Sequence, residues 1–181
     1  MMDWEGILRD HGPAVWRTAY RLLGNRADAD ECFQETFAGA VQFTRKNPAP
    51  IQKWSALLVR LATARAVDRL RQRVRRSSRE VPGVDLQALL DPHPNSRPHE
   101  RAEATELSAR LRMALAQLPP KQADAFCLHC LEGWSYREVA EHLSTSTDDV
   151  GVLLHRARAG LRERITLILS QEAVPDVRLR I

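Results

Sequence analysis

The chain has 181 residues, of which 44% are hydrophobic and 28% charged, and its formal net charge is +4. This length and apolar content exclude a wholly disordered protein and suit two small helical domains. No apolar run approaches the roughly 20 residues that cross a bilayer, and the segment Met1 to Gly12 lacks the apolar core of a signal peptide. We therefore expect no membrane insertion and a cytoplasmic location.

Two amphipathic helices are predicted in the first 42 residues. Between Trp4 and Leu23 the apolar residues recur at helical spacing, with an expected break at Gly12-Pro13 and an end at Gly24-Asn25. The next helix is predicted to begin at Ala27 and to run to Gln42, with acids in its first turns that suit the positive end of a helix dipole. Its other face carries an apolar stripe for the core. The acids are Asp28, Asp30, Glu31 and Glu35, and the stripe is Cys32, Phe33, Thr36, Phe37, Ala40 and Val41.

A third helix, predicted from Lys53 to Arg76, is strongly basic. Between Lys53 and Arg79 there are nine positive residues and a single acid, Asp68. A face that is merely solvated usually mixes signs to limit repulsion, so this bias favours contact with nucleic-acid phosphates. Trp54 is interpreted as a core residue, and stacking of Trp54 or Phe43 on exposed bases is the alternative.

Ser77 to Glu100 is predicted to be a linker. It contains Pro82, Pro92, Pro94 and Pro98, which disfavour continuous helix. Its one apolar patch, within Val84 to Leu90, is interpreted as a local turn of helix, with docking on another surface as the alternative.

Trp134 to Arg164 has the pattern of a helix-turn-helix. Two short helices with apolar faces flank the polar turn Ser144 to Thr147, and Ser146 or Thr147 is expected to cap the second helix. A helix presented in this way can enter a DNA major groove.

The three cysteines are an odd number in a chain for which no export signal is predicted, and this argues against a disulfide framework. Cys127 and Cys130 flank His129, but a zinc site needs about four ligands and no second closely spaced pair follows. We interpret these cysteines as small buried apolar side chains, and we expect no metal and no cofactor.

Separate segments of the chain resemble the sigma factors of bacterial RNA polymerase, specifically the small extracytoplasmic-function (ECF) group. Thr18 to Gln42, TAYRLLGNRADADECFQETFAGAVQ, is similar to the segment that grips the polymerase clamp. Leu57 to Arg76, LLVRLATARAVDRLRQRVRR, is similar to the segment that handles the minus-10 promoter element. The start of the minus-35 domain is similar to Leu115 to Leu143, LAQLPPKQADAFCLHCLEGWSYREVAEHL. The end of that domain is similar to Leu154 to Arg164, LHRARAGLRER.

The resemblance implies an all-α promoter-specificity subunit that has no reaction of its own. It would bind bacterial core RNA polymerase and promoter DNA, and the polymerase would perform the chemistry. The expected divisions are a region 2-like domain over 1–76, a Pro-rich linker over 77–100, a region 4-like helix-turn-helix domain over 101–166 and a tail over 167–181.

The family's contact positions fall on three groups of residues in this sequence. Those for polymerase are Asp28, Asp30, Glu31, Gln34, Glu35 and Phe37. Those for the minus-10 element are Lys53, Arg60, Arg65, Arg69, Arg71 and Arg73. Those for the minus-35 element are Ser135, Tyr136, Thr147, Asp149, Val152, His155, Arg156 and Arg158.

The recognition helix departs from the family pattern. The family usually has Lys-Ser-Arg where this chain has Gly151, Val152 and Leu153, and Asp148 and Asp149 precede them. In one interpretation, an aspartate carboxylate accepts a hydrogen bond from cytosine N4 and Val152 contacts a thymine methyl group. In a second interpretation, Val152 and Leu153 bind a protein. We favour a third, in which basic residues of the helix hold phosphates and specificity comes mostly from the first domain. These residues are His155, Arg156, Arg158, Arg162 and Arg164.

Leu57, Thr63 and Ala64 also depart from the family pattern, which commonly has Trp and an Arg-Asn pair at these positions. The alternative function is a regulator that acts through protein contacts, for example with an anti-sigma protein, favoured by the apolar segment Ile165 to Leu169. A stand-alone repressor is a third hypothesis, although it leaves the first domain unexplained. No Gly-rich phosphate loop, metal constellation or nucleophile motif indicates an enzyme.

Overall fold

The computed structural model describes residues 2–77 and 98–172, and the regular structure within these ranges is entirely helical. Its first three helices are α1 (Trp4–Leu23), α2 (Arg26–Lys46) and α3 (Trp54–Ser77). The others are α4 (Pro98–Ala116), α5 (Pro120–Phe126), α6 (Tyr136–Leu143) and α7 (Thr147–Glu172), with a π-helical turn (Cys127–Leu131) between α5 and α6. The predicted all-α class with a helix-turn-helix is confirmed.

The predicted linker lies mostly outside the described residues. Ser77 belongs to α3 and Pro98 already begins α4, so only the ends of the 77–100 segment are described. The apolar patch within Val84 to Leu90 and the tail beyond residue 172 also lie outside. Within the described ranges, no helix is both long and apolar enough to span a bilayer.

The predicted break in α1 is wrong, because the helix continues through Pro13. Proline removes one backbone donor from the helix ladder, but the buried face of α1 is continuous on both sides of it. The helix begins where the Asp3 carboxylate accepts from the backbone N–H of Gly6 (2.9 Å). It ends at Gly24, whose φ of +78° favours glycine and whose N–H donates to the carbonyl of Tyr20 (2.8 Å).

Buried side chains form three clusters. The first cluster joins α1, α2 and α3, and the second cluster lies around the helix-turn-helix. A third, the shared cluster, contains residues from both sides of the linker. The first is Val15, Ala40, Leu58 and Ala62, and the second is Ala125, Leu128, Val139, Ala140, Val150 and Leu154. The shared cluster includes Leu22, Leu23, Val67, Leu70, Ala114, Leu115, Leu118, Ala157 and Leu161.

The shared cluster determines how the two halves of the chain are arranged, which sequence analysis left open. Helix α4 packs against α3 of the first half and α7 of the second. The three helices before the linker and the four after it are called here the first unit and the second unit. Because buried apolar surface drives association, the two units are docked rather than independent.

Candidate nucleic-acid interface

The helix-turn-helix is formed by α6, a tight turn and the first half of α7. Ser135 caps α6 through a reciprocal pair: its Oγ accepts from the N–H of Glu138 (3.3 Å), and the Glu138 carboxylate accepts from the N–H of Ser135 (2.9 Å). Helix α6 ends at Ser144 in the left-handed region (φ 51°). The second cluster then fixes the angle between α6 and α7, since it contains buried residues of both helices.

A second reciprocal cap begins α7. Ser146 Oγ accepts from the N–H of Asp149 (3.1 Å), which confirms one of the two predicted caps. Asp149 Oδ2 accepts from the hydroxyl of Ser146 (2.7 Å), the hydroxyl of Thr145 (2.8 Å) and the N–H of Ser146 (3.3 Å). These hydrogen bonds, the Ser146 hydroxyl first, lower the pKa of Asp149. The Asp149 carboxylate, to which one interpretation assigned base reading, therefore already has a structural role.

The outer face of α7 carries the other predicted minus-35 residues. Val152 is 47% exposed, and His155, Arg156 and Arg158 are also exposed, so all four are accessible to DNA. Leu153, which one interpretation assigned to protein binding, is half-buried and packs against the second cluster.

The remaining minus-35 residues lie at the starts of the two helices. Tyr136 is 39% exposed, and its ring meets His129 edge-on with 4.9 Å between centroids. Thr147 is exposed as the first residue of α7. Together with Ser135, they place polar groups at both helix N-termini, the ends that favour phosphate.

The predicted polymerase and minus-10 residues are brought together on neighbouring helices. Arg69 of α3 lies 2.8 Å from both Glu31 and Glu35 of α2. Its hydrogen bond to Glu31 lowers the pKa of that carboxyl group and raises the pKa of Arg69. Arg73 contacts Asp28 and donates to the carbonyl of Leu23 (3.3 Å). Much of the opposite charge on α2 and α3 is therefore paired within the protein.

The other predicted polymerase-binding residues differ from one another in solvent exposure. The Asp30 carboxylate accepts from the indole N–H of Trp16 (2.7 Å) and remains exposed, as does Gln34. Phe37 is half-buried in the first cluster, with its ring 4.9 Å from that of Phe33. Phe37 thus supports α2 from the core side.

The other minus-10 residues line α3 from its beginning to its middle. Lys53 is exposed just before the helix, while Arg65 is half-buried and donates weakly to the Leu61 carbonyl (3.4 Å). Arg71 pairs with Asp68 (3.0 Å) and donates to the carbonyl of Leu118 in the second unit (3.3 Å).

A cleft that sequence analysis did not predict lies between the two units. It has a volume of about 560 Å³ and is lined by Phe43, Lys53 and Arg60 from the first unit. Trp134, Glu132, Glu138, Glu141 and His142 line it from the second. Arg60 Nη1 lies 3.4 Å from His142 Nδ1, and burial, followed by the charge of Arg60, lowers the pKa of His142.

The Cys127–Cys130 pair does not form one buried face. Cys127 is buried, and burial raises its pKa to about 12, whereas Cys130 is exposed with Arg158 Nη2 at 3.8 Å from its sulfur. The prediction that both are buried is wrong for Cys130, because residues three apart do not superimpose on the wider turn of a π-helix. Within residues 2–77 and 98–172, no cluster of three or more His, Cys, Asp or Glu could hold a metal ion.

Trp54 lies where sequence analysis expected it. It is half-buried beside the first cluster, and its ring meets that of Trp4 edge-on at 5.5 Å. Thr63, which stands at a departure from the family pattern, is buried with no hydrogen-bond partner for its Oγ1. Thr63 is therefore not accessible to DNA in this conformation.

Two family models match the chain on either side of the linker. The model described as Sigma-70 region 2 matches residues 7–76, and the model described as Sigma-70, region 4 matches residues 108–161. These ranges coincide with α1–α3 and with most of α4–α7.

Two curated relatives align with most of this chain. It is 33% identical over 175 residues to the ECF RNA polymerase sigma factor SigE of Mycolicibacterium smegmatis, an alignment that covers 96% of this chain and 65% of the relative. It is 27% identical over 159 residues to the ECF RNA polymerase sigma factor SigW of Bacillus subtilis, covering 83% of this chain and 82% of the relative. The chain thus spans just under two thirds of the first relative's length.

The fold is also similar to that of a solved structure. The sigma factor RpoE from Bartonella quintana, in complex with the anti-sigma factor NepR, matches with a TM-score of 0.55 and 19% identity. The match covers 92% of this chain and 98% of that chain. With both family regions present in order, the chain belongs to the sigma-70 family of RNA polymerase sigma factors, and the relatives it is similar to are of the ECF group.

Proposed function

We propose that this chain is a promoter-specificity subunit that binds bacterial core RNA polymerase and directs initiation at minus-10 and minus-35 elements. The observation that carries the proposal is the order of the two matched regions, each on its own helical unit of one chain. The chain catalyses no reaction and acts in the cytoplasm beside the polymerase, which makes the RNA. The domain divisions at 76, 100 and 166 are part of this proposal.

In the second unit, α7 holds the upstream element mainly through phosphates. His155, Arg156 and Arg158 are exposed on one stretch of α7 and can approach a DNA backbone. Asp149 is occupied as a cap, which supports phosphate contact over base reading by that carboxylate. Specificity at the upstream element is then weak, and the first unit contributes most of the sequence preference.

In the first unit, two of the predicted minus-10 arginines have a positioning role. Arg69 and Arg73 hold the acidic turns of α2 against α3 and thereby present the polymerase-binding surface. Lys53 and Arg60, at the start of α3, remain for the opened promoter strand. Asp30 and Gln34, which are exposed on α2, contact the polymerase.

A second candidate partner is a protein of the anti-sigma kind. The observation that favours it is the exposed apolar end of α7, where Leu167 is 55% and Leu169 is 43% exposed. Such a partner would regulate the promoter-specificity subunit rather than replace its function.

The test is binding of the purified chain to core polymerase, with a matched pair of variants. Gln34→Arg and Gln42→Arg make the same change at two exposed positions of α2, of which only Gln34 is a predicted contact. We expect Gln34→Arg to weaken binding about tenfold, or ~1.4 kcal/mol, and Gln42→Arg to leave it unchanged. If the unmodified chain does not bind core polymerase, the proposed function is wrong. Equal binding of both variants would instead move the interface away from Gln34.

A further inference from the structure

The turn that leads into the helix-turn-helix is held by three hydrogen bonds. The π-helical turn closes where the N–H of Glu132 donates to the carbonyl of Cys127 (3.1 Å), and the N–H of Trp134 donates to the carbonyl of Leu128 (3.0 Å). The third bond comes from a side chain, since His129 Nδ1 lies 2.7 Å from the carbonyl oxygen of Trp134. A carbonyl oxygen can only accept, so His129 Nδ1 is the donor.

The peptide group between Trp134 and Ser135 is held at both of its polar atoms. Its carbonyl accepts from His129, and its N–H donates to the carboxylate of Glu138 (2.9 Å). Tyr136, the next residue, is the first of α6. His129 therefore helps to fix the direction in which α6 leaves the turn.

The ring of Tyr136 has one neighbour in this turn and another in α7. The His129 ring meets it edge-on with 4.9 Å between centroids, a geometry that favours one orientation of the two rings. In α7, a Cβ at Gly151 would lie 3.8 Å from Tyr136 Cε2, which is ordinary van der Waals contact. Tyr136 nevertheless remains 39% exposed. The phenol is thus held by both neighbours and is still accessible to DNA.

The start of α7 supplies no strong cation beside this phenol. Between Thr147 and Leu154 there are two acids and no lysine or arginine. The hydroxyl of a tyrosine is an uncharged donor, and tyrosine is among the side chains that hydrogen-bond to phosphate oxygens of DNA. Tyr136 can therefore make a phosphate contact at a place where the helix offers no basic side chain.

We propose that His129 is a positioning residue for the upstream promoter contact: its ring and its bond to the Trp134 carbonyl hold Tyr136 against Gly151, where the phenol hydroxyl donates to a DNA phosphate. The proposal rests on the proposed function, since it takes the helix-turn-helix to bind the upstream element. His129 is half-buried and acts through Tyr136 rather than on DNA. It lies outside the predicted minus-35 group.

Substitutions at His129 separate the effect of its ring from that of its hydrogen bond. His129→Asn keeps an N–H donor near the position of Nδ1 and removes the ring, whereas His129→Phe keeps an aromatic ring and removes the donor. Tyr136→Phe removes only the hydroxyl group. His11→Asn makes the same change at a half-buried histidine of α1 and is the matched control.

The first measurement needs no DNA. One Hα of Gly151 points toward the Tyr136 ring, so its NMR chemical shift in the full-length chain reports where that ring lies. We expect both His129 variants to move this resonance, and His11→Asn and Tyr136→Phe to leave it nearly in place. An unmoved resonance in both His129 variants would overturn the positioning role.

The second measurement is the affinity of core polymerase, reconstituted with each full-length variant, for a fluorescent promoter duplex from one of its start sites. We expect each His129 variant to weaken binding about fivefold, the typical contribution of one neutral hydrogen bond. Neither should cause a further loss when Tyr136→Phe is already present, because His129 acts through that hydroxyl. The slope of log affinity against log salt should stay the same, since the hydroxyl carries no charge.

Two results of this measurement would overturn the proposal. A smaller salt slope in the His129 variants, or losses that add to that of Tyr136→Phe, would mean that His129 supports the whole helix-turn-helix rather than Tyr136. If the unmodified chain directs the polymerase to no start site, the proposed function is wrong and the phosphate contact fails with it. The Gly151 resonance decides the placement of Tyr136 separately from that failure.

Discussion

The shared cluster predicts that one leucine couples the two units of the chain. Leu70 of α3 is 5% exposed among side chains from both units. Replacing it with alanine removes three buried carbon atoms at about 0.8 kcal/mol each, or ~2.4 kcal/mol of transfer free energy. A residual cavity adds to this, so we expect the free energy of unfolding to fall by about 3 kcal/mol. Part of this loss is free energy of packing between the two units. The substitution therefore also weakens the attachment of the second unit to the first.

Leu58→Ala provides the matched control. Leu58 lies nearer the start of α3 and is fully buried in the first cluster. All members of that cluster come from the first unit. Both variants should destabilise the chain in urea by similar amounts. Only Leu70→Ala should speed amide hydrogen exchange in α4 and α5 under native conditions, by up to about 100-fold if most of the loss is docking energy.

Hydrogen exchange in α4 and α5 decides between docking and independence. If the units were independent, Leu70→Ala would leave those amides as protected as in the unmodified chain, and it would shift only the unfolding of α1 to α3. That result would refute the shared cluster as an interunit interface.

Three further predictions concern the second unit. Gly151→Ala should raise the free energy of unfolding by about 0.5–1 kcal/mol, because the new Cβ would lie 3.8 Å from the Tyr136 ring; Gly160→Ala, whose Cβ would meet Leu118 at 2.9 Å, should give no such gain in urea unfolding. Burial and Arg60 hold the pKa of His142 below its ordinary value, so the unfolded chain binds the extra proton and stability falls as the pH drops below about 6.5. His142→Gln should show a shallower acid dependence in urea unfolding, and parallel curves would refute this role. Replacing Arg156 and Arg158 with alanine should reduce the slope of log affinity against log salt by about 1.8 in promoter binding, whereas an unchanged slope would exclude both from phosphate contact.

Sequence periodicity predicted the helices well where one face is buried. The ends of α1 and α6 were marked by Gly24 and by the polar residues after Leu143, because turn and cap chemistry is local. Pro13 misled the prediction, since packing of the α1 core face outweighs one lost hydrogen bond. The exposure of Cys130 was also missed, because the π-helical turn rotates it away from Cys127.

The pairing of charges was the main feature that sequence could not reveal. The acids of α2 and the arginines of α3 were each assigned to an external partner, because a one-dimensional charge count does not show which faces meet. Arg69 forms ion pairs with Glu31 and Glu35. Part of the acidic charge of α2 and part of the basic charge of α3 are therefore neutralised within the protein. The complementary signs of two adjacent helices were the available signal for this contact.

The interunit cleft depends on contacts far apart in the sequence. Arg60 and His142 are 82 residues apart, and nothing in the periodicity of either helix indicates that they meet. The one sequence signal for the shared cluster is that α3 and α4 carry more apolar residues than packing within their own units requires.

Transcription reconstituted from core polymerase and this chain tests the central claim most directly. Genomic DNA fragments serve as template, and the 5′ ends of the RNA products are sequenced. The account predicts that adding the chain produces a defined set of new start sites preceded by a common minus-10 sequence and a weaker upstream sequence. RNA products with the same start sites as core polymerase alone would contradict it.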